Sequence, residues 1–279
     1  MNAMKLAVMA ATASACMLHI GAQENSTEAT VAEESDDSAG VYVEASMDVL
    51  SDYIWRGTIC NGNPVWQPSA TLGYDTGDFG EFYLNVWQSY DLTHKRGTFT
   101  NSRQACGIQE IDYTLAYAIN LYGFDVEVGH IFYTYPKNNG TSDQDLYASI
   151  AYENDYVTPS AAAYWNYNSA HGEDPSSVYF TLGLSHDFEL FEVLTLTPSA
   201  SLGFGDNAWC KYVTEESVGT ELTDSTIGLS ASYAVTDWLS LGAQINYTWI
   251  PSHTLRKLDY MGDGKDQLVW GGFNATVSF

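Results

Sequence analysis

Long apolar runs and basic side chains are both scarce in this 279-residue chain. No run of 18 apolar residues follows the N-terminal segment, which excludes a protein that crosses a membrane with helices. Strands remain possible, because a membrane strand needs an apolar side chain only at every second position. Once Lys5 and the six carboxylates of residues 23–40 are set aside, residues 41–279 carry 29 acidic and 9 basic side chains. Such a negative chain is not expected to bind nucleic acid.

Cysteine is also rare: only Cys60, Cys106 and Cys210 lie beyond the N-terminal segment. No pair of histidines accompanies them, so the sequence predicts neither a metal site nor a cofactor.

The first 40 residues have the composition of an export signal and an acidic leader. Residues 1–22 combine one base, Lys5, with an apolar run from Leu6 and small residues up to Ala22, which predicts a signal peptide. A lipoprotein processing site at Cys16 is the alternative. Residues 23–40 lack bases and aromatic residues and are expected to be disordered. One β domain is predicted over residues 41–279.

Alternation of apolar and polar residues with a period of two predicts twelve strands in that domain. Their predicted ranges are 41–56, 65–75, 81–91, 108–121, 124–135, 145–153, 157–168, 178–187, 194–205, 222–235, 238–250 and 267–279. Short turns and long loops alternate strictly between them, which is typical of outer-membrane barrels. A sandwich of the immunoglobulin type lacks that alternation. The predicted fold class is therefore all-β, a transmembrane antiparallel up-and-down β-barrel.

Aromatic residues near both ends of the apolar faces indicate which face meets lipid. Two interfacial girdles are expected on a lipid-facing surface. The residues predicted for them are Tyr53, Trp55, Trp66, Trp165, Tyr167, Tyr247 and Trp249 toward the long loops, and Tyr74, Phe82, Phe124, Tyr152 and Tyr233 toward the short turns. Phe279 ends the last strand on the same face and resembles the signal by which the barrel assembly machinery recognises its substrates.

All nine bases of residues 41–279 fall in the long loops or beside them. They are either ordinary solvated charge or contacts to outer-leaflet phosphates, so outer-membrane lipid and lipopolysaccharide are the expected surroundings, with the long loops outside.

Several stretches of the first half resemble one bacterial family. "SDYIWRG" (51–57) is followed by "NPVWQPSATLGYD", "IDYTLAYAINLYG", "GHIFYTYP" and "DQDLYASIAYE". Over residues 46–153 the chain resembles the TorF-like outer-membrane porins, which are largely uncharacterised. The resemblance implies an outer-membrane location and a channel role, and it supplies no substrate and no catalytic residue.

With the apolar face outward, a set of acidic and aromatic side chains is predicted to line the barrel interior. Its members are Glu44, Asp48, Asp52, Arg56, Asp91, Glu110, Asp112, Asp145, Asp224, Tyr83, Trp87, Tyr133, Tyr147 and Trp270. Acidic rings favour cations, so the sequence predicts a channel for small solutes or ions that prefers cations. Arg56 is expected to pair with a carboxylate across the lumen or on the fourth predicted strand.

Three further expectations accompany this interpretation. Cys60 and Cys106 lie in neighbouring loops of an oxidising compartment, so a disulfide between them is predicted, with Cys210 free. A closed barrel that displays its loops is the alternative function. An outer-membrane hydrolase is the less favoured one, because no serine accompanies His130 or His186; we expect the chain not to be an enzyme.

Overall fold

The computed structural model describes residues 39–93, 107–136, 141–169, 176–191 and 193–279. The predicted signal peptide, nearly all of the predicted leader and Cys106 lie outside the described residues. So do the basic residues Lys95, Arg96, Arg103 and Lys137.

The described chain forms fifteen strands and two helices. The strands are β1 Gly40–Leu50, β2 Tyr53–Trp55, β3 Thr58–Asn61, β4 Val65–Asp75, β5 Glu81–Asp91, β6 Gly107–Leu121, β7 Phe124–Tyr135, β8 Thr141–Tyr152, β9 Thr158–Asn168, β10 Ser177–Ser185, β11 Phe188–Leu190, β12 Leu194–Gly205, β13 Glu221–Thr236, β14 Leu239–Trp249 and β15 Gln267–Ser278. The helices are α1 Asn207–Thr214 and α2 His253–Lys257.

Twelve of these strands close into one antiparallel barrel, which confirms the predicted fold class. Each strand pairs with its neighbour in the chain from β4 to β10 and from β12 to β15. The barrel is closed by pairing of β1 with both β4 and β15, and of β10 with β12. The short strand β11 extends the edge of β12, and β2 and β3 form a separate two-stranded sheet.

The barrel is apolar outside and polar inside, which is the pattern of an outer-membrane barrel. Val43, Leu72, Leu84 and Leu115 are paired in one continuous row across β1, β4, β5 and β6, and all four side chains are exposed on the outer face. One residue along each strand, the opposite face carries buried polar side chains. There, the Asn85 amide donates to the hydroxyl oxygens of Ser69 and Thr71, both at 2.8 Å.

The first predicted strand is wrong beyond Leu50. Instead of continuing to Arg56, the chain turns at Ser51 and Asp52 and folds back as the hairpin β2–β3, called the inward hairpin below. Trp55 pairs with Thr58, and the two residues between them, Arg56 and Gly57, have φ values of 47° and 80°. Two positive φ angles are what a type I′ turn requires.

Tyr53 and Trp55 are therefore not part of an interfacial girdle. Tyr53 is buried and Trp55 is half-buried inside the barrel. The alternation of apolar and polar residues continues without a break through both residues. Periodicity alone therefore predicts a strand that is longer than β1. Asp52 lies in the turn before the hairpin and not on the barrel wall.

The two helices occupy long loops that follow β12 and β14. Asp206 caps α1 by accepting a hydrogen bond from the backbone N–H of Trp209 at 2.7 Å, and Glu215 ends this helix with a positive φ of 63°. Ser252 caps α2 in the same way, through the N–H of Leu255. Within the described residues, neither helix approaches the length or apolarity needed to cross a bilayer.

Placing a charge on the outer face should destabilise the barrel in proportion to its depth. Leu115 lies in the middle of β6 with its side chain exposed on that face, so Leu115→Arg is expected to cost about 2–4 kcal/mol. Val41→Arg, near the strand end, should cost about 0–1 kcal/mol. Urea unfolding in lipid vesicles measures both, and equal losses would contradict the assignment of this face to lipid.

Candidate functional site: the barrel interior

Most side chains predicted for the interior project inward from the barrel wall. Glu44 and Asp48 do so from β1, and Trp270 from β15. The others that face inward from wall strands are Tyr83, Trp87, Asp91, Glu110, Asp112, Tyr133, Asp145, Tyr147 and Asp224. Arg56 is also inside, carried there by the inward hairpin.

The inward hairpin crosses the barrel. It leaves the end of β1, and its base is held on β6, where the Tyr53 hydroxyl donates to Glu110 at 3.0 Å. Its tip reaches the far wall: Arg56 Nη2 lies 2.9 Å from Asp145 Oδ2 on β8. The sequence predicted that Arg56 pairs with a carboxylate across the lumen or on the fourth predicted strand (108–121). The observed partner is Asp145, across the lumen on β8.

The guanidinium of Arg56 lies among aromatic rings as well as beside its carboxylate. Its Cζ is 4.3 Å from the ring centre of Tyr164 and 4.5 Å from that of Trp55. Tyr179 and Trp209 complete the set at 5.0 Å each. Arg56 is only 2 % exposed, and at a desolvated site each such contact stabilises the cation.

Gly57 fits the hairpin tip against the wall at β13. A Cβ at Gly57 would lie 2.5 Å from the Cβ of Asp224, so this position accepts no side chain without movement. The Asp224 carboxylate accepts a hydrogen bond from the Tyr179 hydroxyl at 3.1 Å. Gly57 thus serves two purposes: it adopts a positive φ in the turn, and its lack of a side chain lets the hairpin tip approach the wall closely.

The long loops contribute a second set of contacts to the hairpin. The Tyr260 hydroxyl donates to the backbone oxygen of Arg56 at 3.1 Å, and the Trp209 Nε1 donates to that hydroxyl at 2.8 Å. Around them, an apolar cluster joins residues from the hairpin, α1, the loop of α2 and β15. Its buried members are Ile54, Ile59, Cys210, Ile250, Leu255, Tyr260, Met261 and Trp270.

The half of the interior nearer the short turns is different. Its side chains Tyr147, Tyr164, Gln244, Asn246 and Asn274 are half-buried, whereas Asp145 and Arg56 at the hairpin are almost completely buried. Polar side chains line this half of the interior, called the polar half below, and the apolar cluster lies on the other side of the hairpin.

The sequence did not predict that loop residues build a core inside the barrel. The predicted strand ranges leave Trp209, Leu255, Tyr260 and Met261 in long loops. A signal was available in the Asp206 and Ser252 caps, since each precedes apolar residues at helical spacing. Their packing against a hairpin from the other end of the chain was not readable from local pattern.

The structure describes the surroundings of Cys60, Cys210, His130 and His186. Cys60 and Cys210 are buried, and neither forms a disulfide with a described residue. Burial, reinforced by the Glu221 carboxylate, raises the pKa of Cys210 to about 11. The disulfide from Cys60 to Cys106 stays a prediction, because Cys106 lies outside the described residues. His130 Nε2 lies 2.7 Å from the Tyr167 hydroxyl, and the His186 ring packs edge-on against Phe188. In the described ranges, no group of three or more His, Cys, Asp or Glu residues is arranged to hold a metal ion.

Comparison with known proteins gives a family and several distant structures. The family model described as a bacterial protein of unknown function (Gcw_chp) matches residues 34–263. The NanC porin structure is 12 % identical, with a TM-score of 0.47, and the match covers 86 % of this chain and 99 % of that one. The KdgM porin is 8 % identical, with a TM-score of 0.46 over 85 % and 99 % of the chains.

Outer membrane phospholipase A from Escherichia coli is similar to a comparable degree. It is 13 % identical, with a TM-score of 0.45, and the match covers 84 % of this chain and 89 % of that one. These distant similarities include both porins and a phospholipase, so they transfer no activity to this chain. No curated protein matches the sequence.

Proposed function

We propose that this chain, which belongs to the Gcw_chp family of bacterial proteins of unknown function, is a porin-like outer-membrane channel for small solutes that prefers cations. The charge of the interior carries the proposal. Glu44, Asp48, Glu110 and Asp112 project inward from β1 and β6. Of the Lys and Arg residues in the described part of the chain, Arg56 alone is buried. An excess of interior carboxylates lowers the energy of a cation in the lumen and raises that of an anion.

The resemblance of residues 46–153 to the TorF-like porins supports the same role. With it comes the proposed setting: export by a signal peptide, insertion by the barrel assembly machinery, and long loops facing outward among lipopolysaccharide. Ions and small polar molecules are the solutes proposed.

A closed barrel is the second candidate, and one observation favours it. The apolar cluster around Ile54, Leu255 and Met261 lies inside the barrel at the level of the inward hairpin. A catalytic role is not proposed, because the hydrogen bond described for His130 joins it to a tyrosine and not to a serine, and a hydrolase of this kind needs a serine beside its base.

Planar bilayer recording tests the channel. The purified full-length protein is expected to give discrete conductance steps, with a reversal potential in a KCl gradient that indicates cation preference. Asp48→Asn and Asp112→Asn should move that potential toward zero, because each removes a negative charge from the interior. Asp155→Asn, an exposed residue in a short turn, is the control and should leave it unchanged. Silence across independent preparations would overturn the channel and favour the closed barrel.

A further inference from the structure

The inward hairpin is a separate part of the barrel. Its two strands pair with each other and not with the twelve wall strands. The wall closes without it, because β1 pairs with β4 along its whole length and with β15 from Glu44 to Leu50. Moving the hairpin therefore does not require breaking the hydrogen bonds between wall strands.

Side chains from several strands hold the hairpin across the lumen. At its base, Asn61 donates to Gln109 on β6 at 3.1 Å. At its tip, Arg56 contacts Asp145 on β8, Tyr164 on β9 and Tyr179 on β10. The hairpin leaves β1, and its tip meets strands on the opposite side of the twelve-stranded wall. It lies between the polar half of the interior and the apolar cluster of the long loops.

We propose that the inward hairpin is the constriction of this channel, and that Arg56 is the positioning residue that holds it there and so sets which solutes pass. The inference rests on the proposed channel function and deepens it. With the hairpin in place, the solutes that pass are inorganic cations and molecules of similar size. Neutral ring-sized solutes such as monosaccharides are excluded.

Arg56 has this role because its guanidinium reaches the Asp145 carboxylate only when the hairpin tip lies against the wall, a position called seated below. Removing the guanidinium takes away the ion pair to Asp145 and four cation–π contacts together. The contact from Tyr260 goes to the backbone oxygen and survives the change, but it carries no charge. A buried ion pair is costly to break from one side, so the equilibrium between a seated and a displaced hairpin should shift strongly.

Cys60 provides a readout of hairpin position that does not depend on conduction. It lies on β3 and is buried with the hairpin seated. In the full chain with Cys106→Ser, maleimide labelling of Cys60 is measured by peptide mass spectrometry for the parent, Arg56→Ala and Arg56→Lys. Arg256→Ala, which removes an exposed arginine from α2, is the control. Single-channel conductance and glucose entry into proteoliposomes are measured on the same preparations.

Arg56→Ala is expected to speed Cys60 labelling by at least about tenfold, the effect of losing a buried pair, to raise conductance and to admit glucose. Arg56→Lys should fall between it and the parent, and Arg256→Ala should match the parent. Should Arg56→Ala fail to fold, Gly57→Val displaces the tip through Asp224 and serves instead.

Unchanged labelling would overturn the role of Arg56. Faster labelling with parental conductance and no glucose entry would overturn the constriction while leaving the channel intact. If the parent conducts nothing and Arg56→Ala conducts, the hairpin role stands and the resting channel fails. If both are silent although labelling is faster, both proposals fail.

Discussion

Trp209→Ala is expected to lower the free energy of unfolding by about 3–5 kcal/mol, the usual cost of deleting a fully buried tryptophan. Trp209 lies on α1, is 1 % exposed, and packs between the inward hairpin and the wall. Its ring centre is 5.2 Å from that of Trp55 on the hairpin and 5.4 Å from that of Tyr179 on β10. The substitution removes both contacts.

Two polar interactions add to this loss. The Trp209 Nε1 donates to Tyr260, whose hydroxyl in turn holds the backbone of Arg56, and the ring lies 5.0 Å from the Arg56 Cζ. Alanine therefore leaves a cavity beside a buried cation and a tyrosine hydroxyl without its donor.

Urea unfolding in lipid vesicles, followed by far-UV circular dichroism and by gel mobility, measures the loss. Trp165→Ala is the matched control: this tryptophan projects from β9 and is exposed on the outer face. Its removal should cost much less, because no cavity forms inside the barrel. Equal losses for the two variants would show that α1 does not pack inside the barrel.

Asp145→Ala is the second large effect, with an expected loss of about 3–5 kcal/mol in the free energy of unfolding. The substitution leaves the Arg56 guanidinium buried without its carboxylate. Asp145 also accepts hydrogen bonds from the Asn166 amide at 2.8 Å and the Tyr133 hydroxyl at 3.3 Å, so three donors on different elements lose one acceptor.

A double-mutant cycle separates the ion pair from those other bonds. Arg56→Met combined with Asp145→Ala removes both charges, and it should be less destabilised than the sum of the single variants because no unpaired charge stays buried. The same urea titrations supply all four values. Additive losses would mean that the pair contributes nothing beyond its separate contacts.

The barrel could be predicted from the sequence because its cause is local. The wall strands alternate between outward apolar and inward polar side chains, as in Leu72, Leu84 and Leu115 outside and Thr71, Asn85 and Thr114 inside. A period of two fixes the two faces of a strand. Alternating loop lengths fix how the strands connect, so strand number and orientation followed without knowledge of any distant contact.

The interior could be predicted only as a set of residue types. Placing Asp112 and Tyr133 inside needed nothing more than strand parity. Finding that Arg56 meets Asp145 needed the path of the chain after Leu50. Tyr53 and Trp55 keep the alternation of β1, so the pattern alone predicts them on the outer face although they lie inside. A two-residue turn at Arg56–Gly57 carries little signal when its first residue is an arginine.

The sequence by itself determined a closed, outwardly apolar, twelve-stranded barrel with an acidic interior, because alternation and loop length are properties of neighbouring residues. The tertiary structure alone decided what occupies that interior. The inward hairpin, α1 and the loop of α2 come from three distant parts of the chain, and their side chains Ile54, Cys210 and Met261 are buried together in one cluster. Burial of apolar surface between segments far apart in sequence cannot be predicted from the pattern of neighbouring residues.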